Sequence, residues 1–151
     1  MNILIKNLLF TVLIPGTMGI YLPYYLGSTH AGARGWWNWP GIVLLLAGFW
    51  IVLLCIWDFA TRGQGTPFPL DPPKDLVTGR LYRLTRNPMY VGVLLAVVGW
   101  ALWFSSGLVL LYGLVLGLAF YVFVVFVEEP TLKKQFGSTY EKYCRKVPRW
   151  F

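Results

Sequence analysis

The sequence predicts an all-α membrane protein with about four transmembrane helices and a cytoplasmic amphipathic C-terminal helix. Hydrophobic residues make up 57% of the 151 residues and charged residues only 13%, whereas an ordinary soluble domain carries about 25% charged residues. The hydrophobic residues also form long uncharged blocks, and a block of roughly 18 or more apolar residues is typical of a membrane span. We therefore predict one integral membrane domain over residues 1–151.

The first two predicted spans are residues 4–26 and 40–60, and their sequences are generic. The first apolar block is too long for the core of a cleaved signal peptide and ends in aromatic residues, so we interpret it as a retained helix. The loop between the two spans contains Trp36, Trp37 and Trp39. Clustered tryptophans are typical of the aromatic belt at a membrane interface.

The third and fourth predicted spans lie in the uncharged stretch from Asn87 to Val127. This stretch is too long for one span of about 20 residues but suits two. Ser105, Ser106 and Gly107 predict the turn between them, since small turn-forming residues interrupt apolar runs.

A polar tail follows the fourth span. Its apolar residues Leu132, Phe136, Tyr140 and Tyr143 recur at helical spacing, which predicts an amphipathic helix lying against the bundle or the membrane surface. Gly137 weakens that helix, so we expect two short pieces.

The basic residues predict the orientation of the chain. Of the 13 Lys and Arg residues, all except Lys6 and Arg34 lie in residues 61–86 or 133–149. With four spans, these segments and the N-terminus share one face, which the positive-inside rule makes cytoplasmic. We therefore predict a multi-pass protein with both termini in the cytoplasm. The net charge of +7 is explained by anionic membrane lipids as partners, and we expect no nucleic acid partner.

The few potential metal ligands and thiols predict neither a metal site nor a disulfide. His30 is the single histidine, which excludes a metal site built on histidines. Cys55 lies in an apolar span and Cys144 in the basic tail, so we expect both to be free thiols.

Three features at the predicted cytoplasmic face could carry chemistry, and the first is TPFPLDPP, residues 66–73. Its four prolines stiffen the chain and prevent a helix. A rigid, extended approach to the third span is expected, although a simple spacer explains this segment equally well.

The second feature is LVTGRLYRLTRNPMY, residues 76–90, at the entrance to the third span. Asn87 precedes Pro88 and is biased away from helical angles, so we predict that it caps the span. A helix N-terminus offers amide donors suited to a carboxylate or a ribose hydroxyl. Taken alone, an ordinary capped span with positive-inside arginines explains the segment better.

The third feature is the acidic pair Glu128 and Glu129 at the end of the fourth span. Acidic residues at the hydrocarbon edge are costly and are usually functional or paired. Consecutive helical residues point about 100° apart, so one carboxylate could bind a ligand while the other pairs with Arg83 or Arg86. Two solvated acids at a helix end remain the alternative.

Taken in order, these motifs resemble those of the isoprenylcysteine carboxyl methyltransferases and the related phospholipid N-methyltransferases. The resemblance covers residues 66–151 and rests on LVT at 76–78, Tyr82, RNPMY at 86–90, the Glu128–Glu129 pair, FGSTYEKY at 136–143 and VPR at 147–149. It implies methyl transfer from S-adenosylmethionine to a lipid-like or small hydrophobic acceptor, a carboxylate, thiol or amine that enters from the bilayer. No metal is implied.

The resemblance also implies a set of cofactor-binding residues: Lys74, Asp75, Leu76, Val77, Tyr82, Asn87, Pro88, Met89, Tyr90, Glu128 and Glu129. Two positions depart from the family pattern. Asn87 replaces a histidine and cannot carry a proton, so no general base is implied there. Val124 replaces an arginine that contacts the substrate in the prenylcysteine enzymes, so prenylcysteine is not implied as the acceptor.

The sequence leaves two other functions open. A non-enzymatic membrane protein, such as a transporter subunit or an assembly factor, would also have these spans, but transport usually needs polar groups near the bilayer midplane. A membrane reductase that uses NADPH is the other alternative, because some reductases resemble this family in their C-terminal spans.

Overall fold

The computed structural model describes residue 9 and residues 12–63 and 75–150. The start of the first predicted span, the proline-rich segment 66–73 and Lys74 fall outside these residues. Within them the chain is helical and contains no strand, and the predicted all-α class is confirmed.

Five helices form the described part of the chain. The first, α1, has wide π-type turns over Val12–Tyr21 and continues as an α-helix over Leu22–Thr29. The others are α2 (Trp39–Asp58, continued by π-type turns over Phe59–Gly63), α3 (Pro88–Phe104), α4 (Gly107–Phe123, continued by π-type turns over Val124–Glu128) and α5 (Glu129–Lys146). Two short 3₁₀ helices, Trp36–Asn38 and Arg80–Arg83, precede α2 and α3.

Two helical segments are long and apolar enough to cross a membrane, Trp36–Gly63 and Gly107–Lys146. The apolar helix α3 is shorter, with 17 residues, which extend about 25 Å at 1.5 Å per residue. The membrane character of the chain is therefore confirmed, and the number of four spans stays a prediction.

Glycines bring α2 and α3 into backbone contact. Gly41 faces Gly99, where an added Cβ on Gly41 would lie 2.6 Å from the Gly99 carbonyl oxygen. Gly48 faces Gly92 in the same way. Small residues allow this close approach between membrane helices. The two pairs run in opposite order along the helices, so α2 and α3 are antiparallel. The end of α2 therefore lies beside the beginning of α3.

The turn between α3 and α4 lies where the small residues predict it. Ser105 adopts a left-handed conformation with φ of 48°, and α4 begins two residues later at Gly107. The buried Asn38 side chain donates to the Leu102 carbonyl and to the Ser105 hydroxyl. This contact fixes the turn to the beginning of α2.

The tail helix α5 is divided at Gly137, as predicted. Gly137 has a φ of 50° and a ψ of −125°, a conformation that favours glycine. The kink separates the half that follows α4 from the half that carries Tyr140 and Tyr143. Both Cys55 and Cys144 are free thiols, also as predicted.

Candidate functional site

A cavity of about 90 Å³ lies where the ends of α2 and α4, the beginning of α3 and the helix α5 meet. Most of the predicted cofactor-binding residues line it, namely Leu76, Val77, Tyr82, Asn87, Tyr90, Glu128 and Glu129. Tyr82, Asn87 and the acidic helix end, which the resemblance assigns to one cofactor site, therefore lie around the same cavity.

Glu128 and Tyr90 join α4 to α3 at the wall of the cavity. The Tyr90 hydroxyl donates to Glu128 Oε2 over 2.7 Å, and the Tyr90 ring packs on Phe120 with 4.7 Å between centroids. A carboxylate in an apolar environment needs such a partner, because unpaired burial of a charge is costly. An ionised carboxylate accepts several hydrogen bonds, so Glu128 retains the capacity to bind a ligand.

Glu129 has a different role from its neighbour. Arg149 donates to both of its oxygens, from Nε to Oε1 at 2.7 Å and from Nη2 to Oε2 at 2.9 Å. Arg86 Nη1 lies 3.0 Å from Glu129 Oε1, one of the two pairings that the sequence left open. Donation to the carboxylate raises the pKa of Arg149. Two arginines thus hold Glu129 in place within the cavity wall.

The residues after α5 run back across the entrance to α3. The Arg149 carbonyl accepts from the Thr85 hydroxyl and from the Asn87 side-chain amide, each at 2.9 Å. The Arg86 main-chain N–H donates to the Pro148 carbonyl at 3.0 Å. We call residues 147–149 the strap. The strap ties the tail to the Asn-Pro step through hydrogen bonds to both main chain and side chains.

The prediction that the Asn87 side chain caps α3 is wrong in one respect. Asn87 occupies the N-cap position, with Pro88 at the first helical position, but its side chain makes no capping hydrogen bond. Its amide donates to the strap instead. The physical reason is that Asn87 is buried, so its amide needs an acceptor, and the Arg149 carbonyl lies within reach.

Tyr82 is held from three sides. Its carbonyl accepts from the Tyr143 hydroxyl at 2.7 Å, its ring meets Phe59 edge to face at 5.8 Å, and its side chain packs in one buried cluster with Cys55. Burial raises the pKa of Tyr82 well above its usual value. The phenol is therefore neutral at physiological pH and cannot serve as a general base there.

Three of the predicted residues do not line the cavity. Asp75 is exposed, and its N–H donates to the Gly63 carbonyl. Pro88 and Met89 are buried at the start of α3, where Met89 packs with Cys55, Val77 and Tyr82. Because consecutive helical residues point about 100° apart, Tyr90 faces the cavity, whereas Met89 points away from it and packs behind the cavity wall.

The sequence missed several lining residues, which are Phe59, Arg86, Phe123, Val127, Thr131, Leu132, Gln135, Tyr140 and Tyr143. The helical spacing of the tail identified a face that includes Leu132, Tyr140 and Tyr143, and this signal could have placed them in the site. No local signal marks Phe59, which belongs to a span of generic composition.

The site combines a carboxylate, an amide and phenols with apolar walls at a helix N-terminus. Such groups suit a ligand with hydroxyls or an ammonium group and a flat ring. Ligand pockets usually have about 300–1,000 Å³, so a ligand of cofactor size would extend through the mouth of the cavity or move its walls. In residues 12–63 and 75–150, no group of at least three His, Cys, Asp or Glu residues could hold a metal ion.

Comparison with known proteins adds two findings. A family model described as phospholipid methyltransferase matches residues 36–139, which include α2, α3 and α4. A protein of Haemophilus influenzae described as uncharacterized is 36% identical over 62 residues, which is 41% of this chain and 98% of that relative. No solved structure matches the chain.

Proposed function

Because the chain belongs to the phospholipid methyltransferase family, whose model covers residues 36–139, we propose that it transfers a methyl group from S-adenosylmethionine to a lipid-like or small hydrophobic acceptor. The family membership supports methyl transfer by a membrane protein. The cofactor, the class of acceptor and the cytoplasmic position of the reaction are the parts that we propose.

The observation that carries the proposal is the Glu128–Tyr90 pair in the wall of a cavity beside Tyr82 and Asn87. The Glu128 carboxylate would bind the ammonium group or the ribose hydroxyls of the cofactor, and the aromatic walls would pack against adenine. When bound, the sulfonium supplies the electrophilic methyl group. The chain itself has to bind, align the two reactants and exclude water.

Among the described residues of the site, neither Asn87 nor Tyr82 supplies a base. Asn87 cannot carry a proton, and the raised pKa of Tyr82 keeps its phenol neutral. A carboxylate or thiolate acceptor would arrive already deprotonated, whereas an amine would have to lose its proton first. Val124, at the position of the family's substrate-binding arginine, is buried with 1% exposure. We therefore do not propose prenylcysteine as the acceptor.

We propose that the acceptor enters laterally from the bilayer and the cofactor from the cytoplasm. The basic segments on either side of α3 and α4 support this orientation through the positive-inside rule. Four spans would then place both termini on the side of the cavity. Radiolabelled methyl transfer into fractionated lipids and small thiols would identify the acceptor.

The test is calorimetric titration of the purified protein in detergent with S-adenosylhomocysteine. We expect the wild type to bind, and Glu128→Gln to bind at least about tenfold more weakly, a change of about 1.4 kcal/mol. Glu141→Gln is the matched control, because Glu141 is an exposed acid of α5 paired with Lys133. Absence of binding by folded wild type would overturn the proposal, and binding of NADPH in its place would favour a reductase.

A further inference from the structure

Asp58, the last residue of α2, is a buried carboxylate that the proposed reaction does not use. Its side chain is 1% exposed, and Oδ1 lies 3.5 Å from Arg62 Nε and 3.4 Å from Arg80 Nε. Among the residues that the structure describes, neither oxygen has a hydrogen-bond partner. Burial of a carboxylate is costly, so this position calls for a role that an apolar residue could not fill.

Arg80 supplies the second observation, because its backbone is strained. Its φ of 46° lies in the left-handed region, which is unfavourable for any residue with a Cβ. The Arg62 guanidinium lies directly over the preceding residue, Gly79, where Nη1 occupies the position that a Cβ would take. The two arginines beside Asp58 therefore meet on one short segment. Arg62 lies over Gly79, and Arg80 occupies the strained position.

This segment determines where Tyr82 lies. The 3₁₀ helix Arg80–Arg83 begins at the strained residue, and the Tyr82 N–H donates to the Gly79 carbonyl at 2.9 Å. Tyr82 then packs against Phe59, the neighbour of Asp58 in sequence, and lines the cavity. One helix end thus contacts both the strained turn and the aromatic ring that the turn presents.

We propose that Asp58 is a positioning residue whose carboxylate holds Arg80 in the left-handed conformation and thereby fixes Tyr82 in the cavity wall. The geometry of the turn is independent of the ligand, whereas the consequence for cofactor binding rests on the proposed function. The role differs from general stabilisation because it acts through the backbone conformation of a single residue.

A double-mutant cycle between Asp58→Asn and Arg80→Gly tests this role. Glycine adopts positive φ without strain, so Asp58 should become dispensable once residue 80 is glycine. We expect Asp58→Asn alone to weaken binding of S-adenosylhomocysteine about tenfold, and to weaken it less than about twofold in the Arg80→Gly background. An equal effect in both backgrounds, or no effect in either, would overturn the proposal.

Amide hydrogen exchange provides a readout that needs no ligand. We expect Asp58→Asn to speed exchange of the Tyr82 amide about tenfold and Arg80→Gly to restore its protection, with Glu141→Gln as the unaffected control. If Asp58→Asn does not fold, folding of the double variant supports the proposal, and its failure to fold contradicts it. If the wild type does not bind the ligand but the exchange cycle behaves as expected, only the proposed function fails.

Discussion

Arg149 and Glu129 form a bidentate ion pair that ties the strap to the first residue of α5, with donor-acceptor distances of 2.7 and 2.9 Å. The pair fixes the strap, whose carbonyl at residue 149 accepts hydrogen bonds from Thr85 and Asn87. The cavity wall therefore depends on contacts between parts of the chain that are distant in sequence.

Removal of this ion pair should loosen the strap. Arg149→Ala leaves Glu129 with Arg86 as its partner, and both members of the pair are partly exposed, so we expect a modest loss of about 1 kcal/mol in stability. Thermal unfolding in detergent measures it. Arg145→Ala, which removes an exposed arginine of the same tail, is the control. Equal effects of the two substitutions would contradict a specific role for the strap.

Loss of the Tyr90 hydroxyl should affect the ligand site more than the fold. Tyr90→Phe removes the hydrogen bond to Glu128, and an unsatisfied buried acceptor costs about 1–3 kcal/mol. We expect binding of S-adenosylhomocysteine to weaken by about tenfold or more. Tyr112→Phe removes a similar bond, to the Met18 carbonyl at 2.8 Å, and should leave affinity unchanged in calorimetry. A loss of affinity in this control would show that the effect is general.

The backbone contact between α2 and α3 should not tolerate a methyl group. Gly48→Ala would place a Cβ against the Gly92 carbonyl, and such overpacking costs about 1–3 kcal/mol. In Gly117→Ala the new Cβ would meet Leu94 side-chain atoms at 3.7 Å, an ordinary contact, and alanine favours the helix by about 1 kcal/mol. Thermal unfolding should therefore rank Gly48→Ala below the wild type and Gly117→Ala at or above it.

Tyr82 should make stability fall at alkaline pH. Burial raises its folded-state pKa above the unfolded value of about 10. Its stabilising contribution is therefore fully present below about pH 10 and is lost as the pH rises towards the folded pKa. Tyr82→Phe should lose less stability than the wild type between about pH 10 and pH 11. Tyr25→Phe, at an exposed position, should follow the wild-type slope in the same denaturation series.

The predicted orientation can be tested with single cysteines in a variant that carries Cys55→Ser and Cys144→Ser. Trp37 and Lys142 are both exposed and lie in segments predicted to face opposite sides of the membrane. In intact cells, an impermeant maleimide should label Trp37→Cys but not Lys142→Cys. The reverse pattern would contradict a cytoplasmic tail.

Local patterns predicted the fold class, the serine turn and the kink at Gly137, because each depends on neighbouring residues. The convergence of Glu128, Tyr82 and Asn87 was implied by the resemblance to a known family. The bond from Asn87 to Arg149 could not be predicted, since it joins residues 62 positions apart and exists only when the tail folds back. The strain at Arg80 has no signature in composition or periodicity either, because Arg80 lies beside Asp58 only in the folded chain.

The glycine contacts between α2 and α3 have a consequence for how the small cavity could admit a large molecule. Carbonyl oxygens already contact glycine backbones there, so α2 and α3 cannot move closer together. We expect any enlargement to come instead from α5, which also lines the cavity and is divided in two at Gly137. In that case α2 and α3 would stay fixed while the two halves of α5 move to admit the ligand.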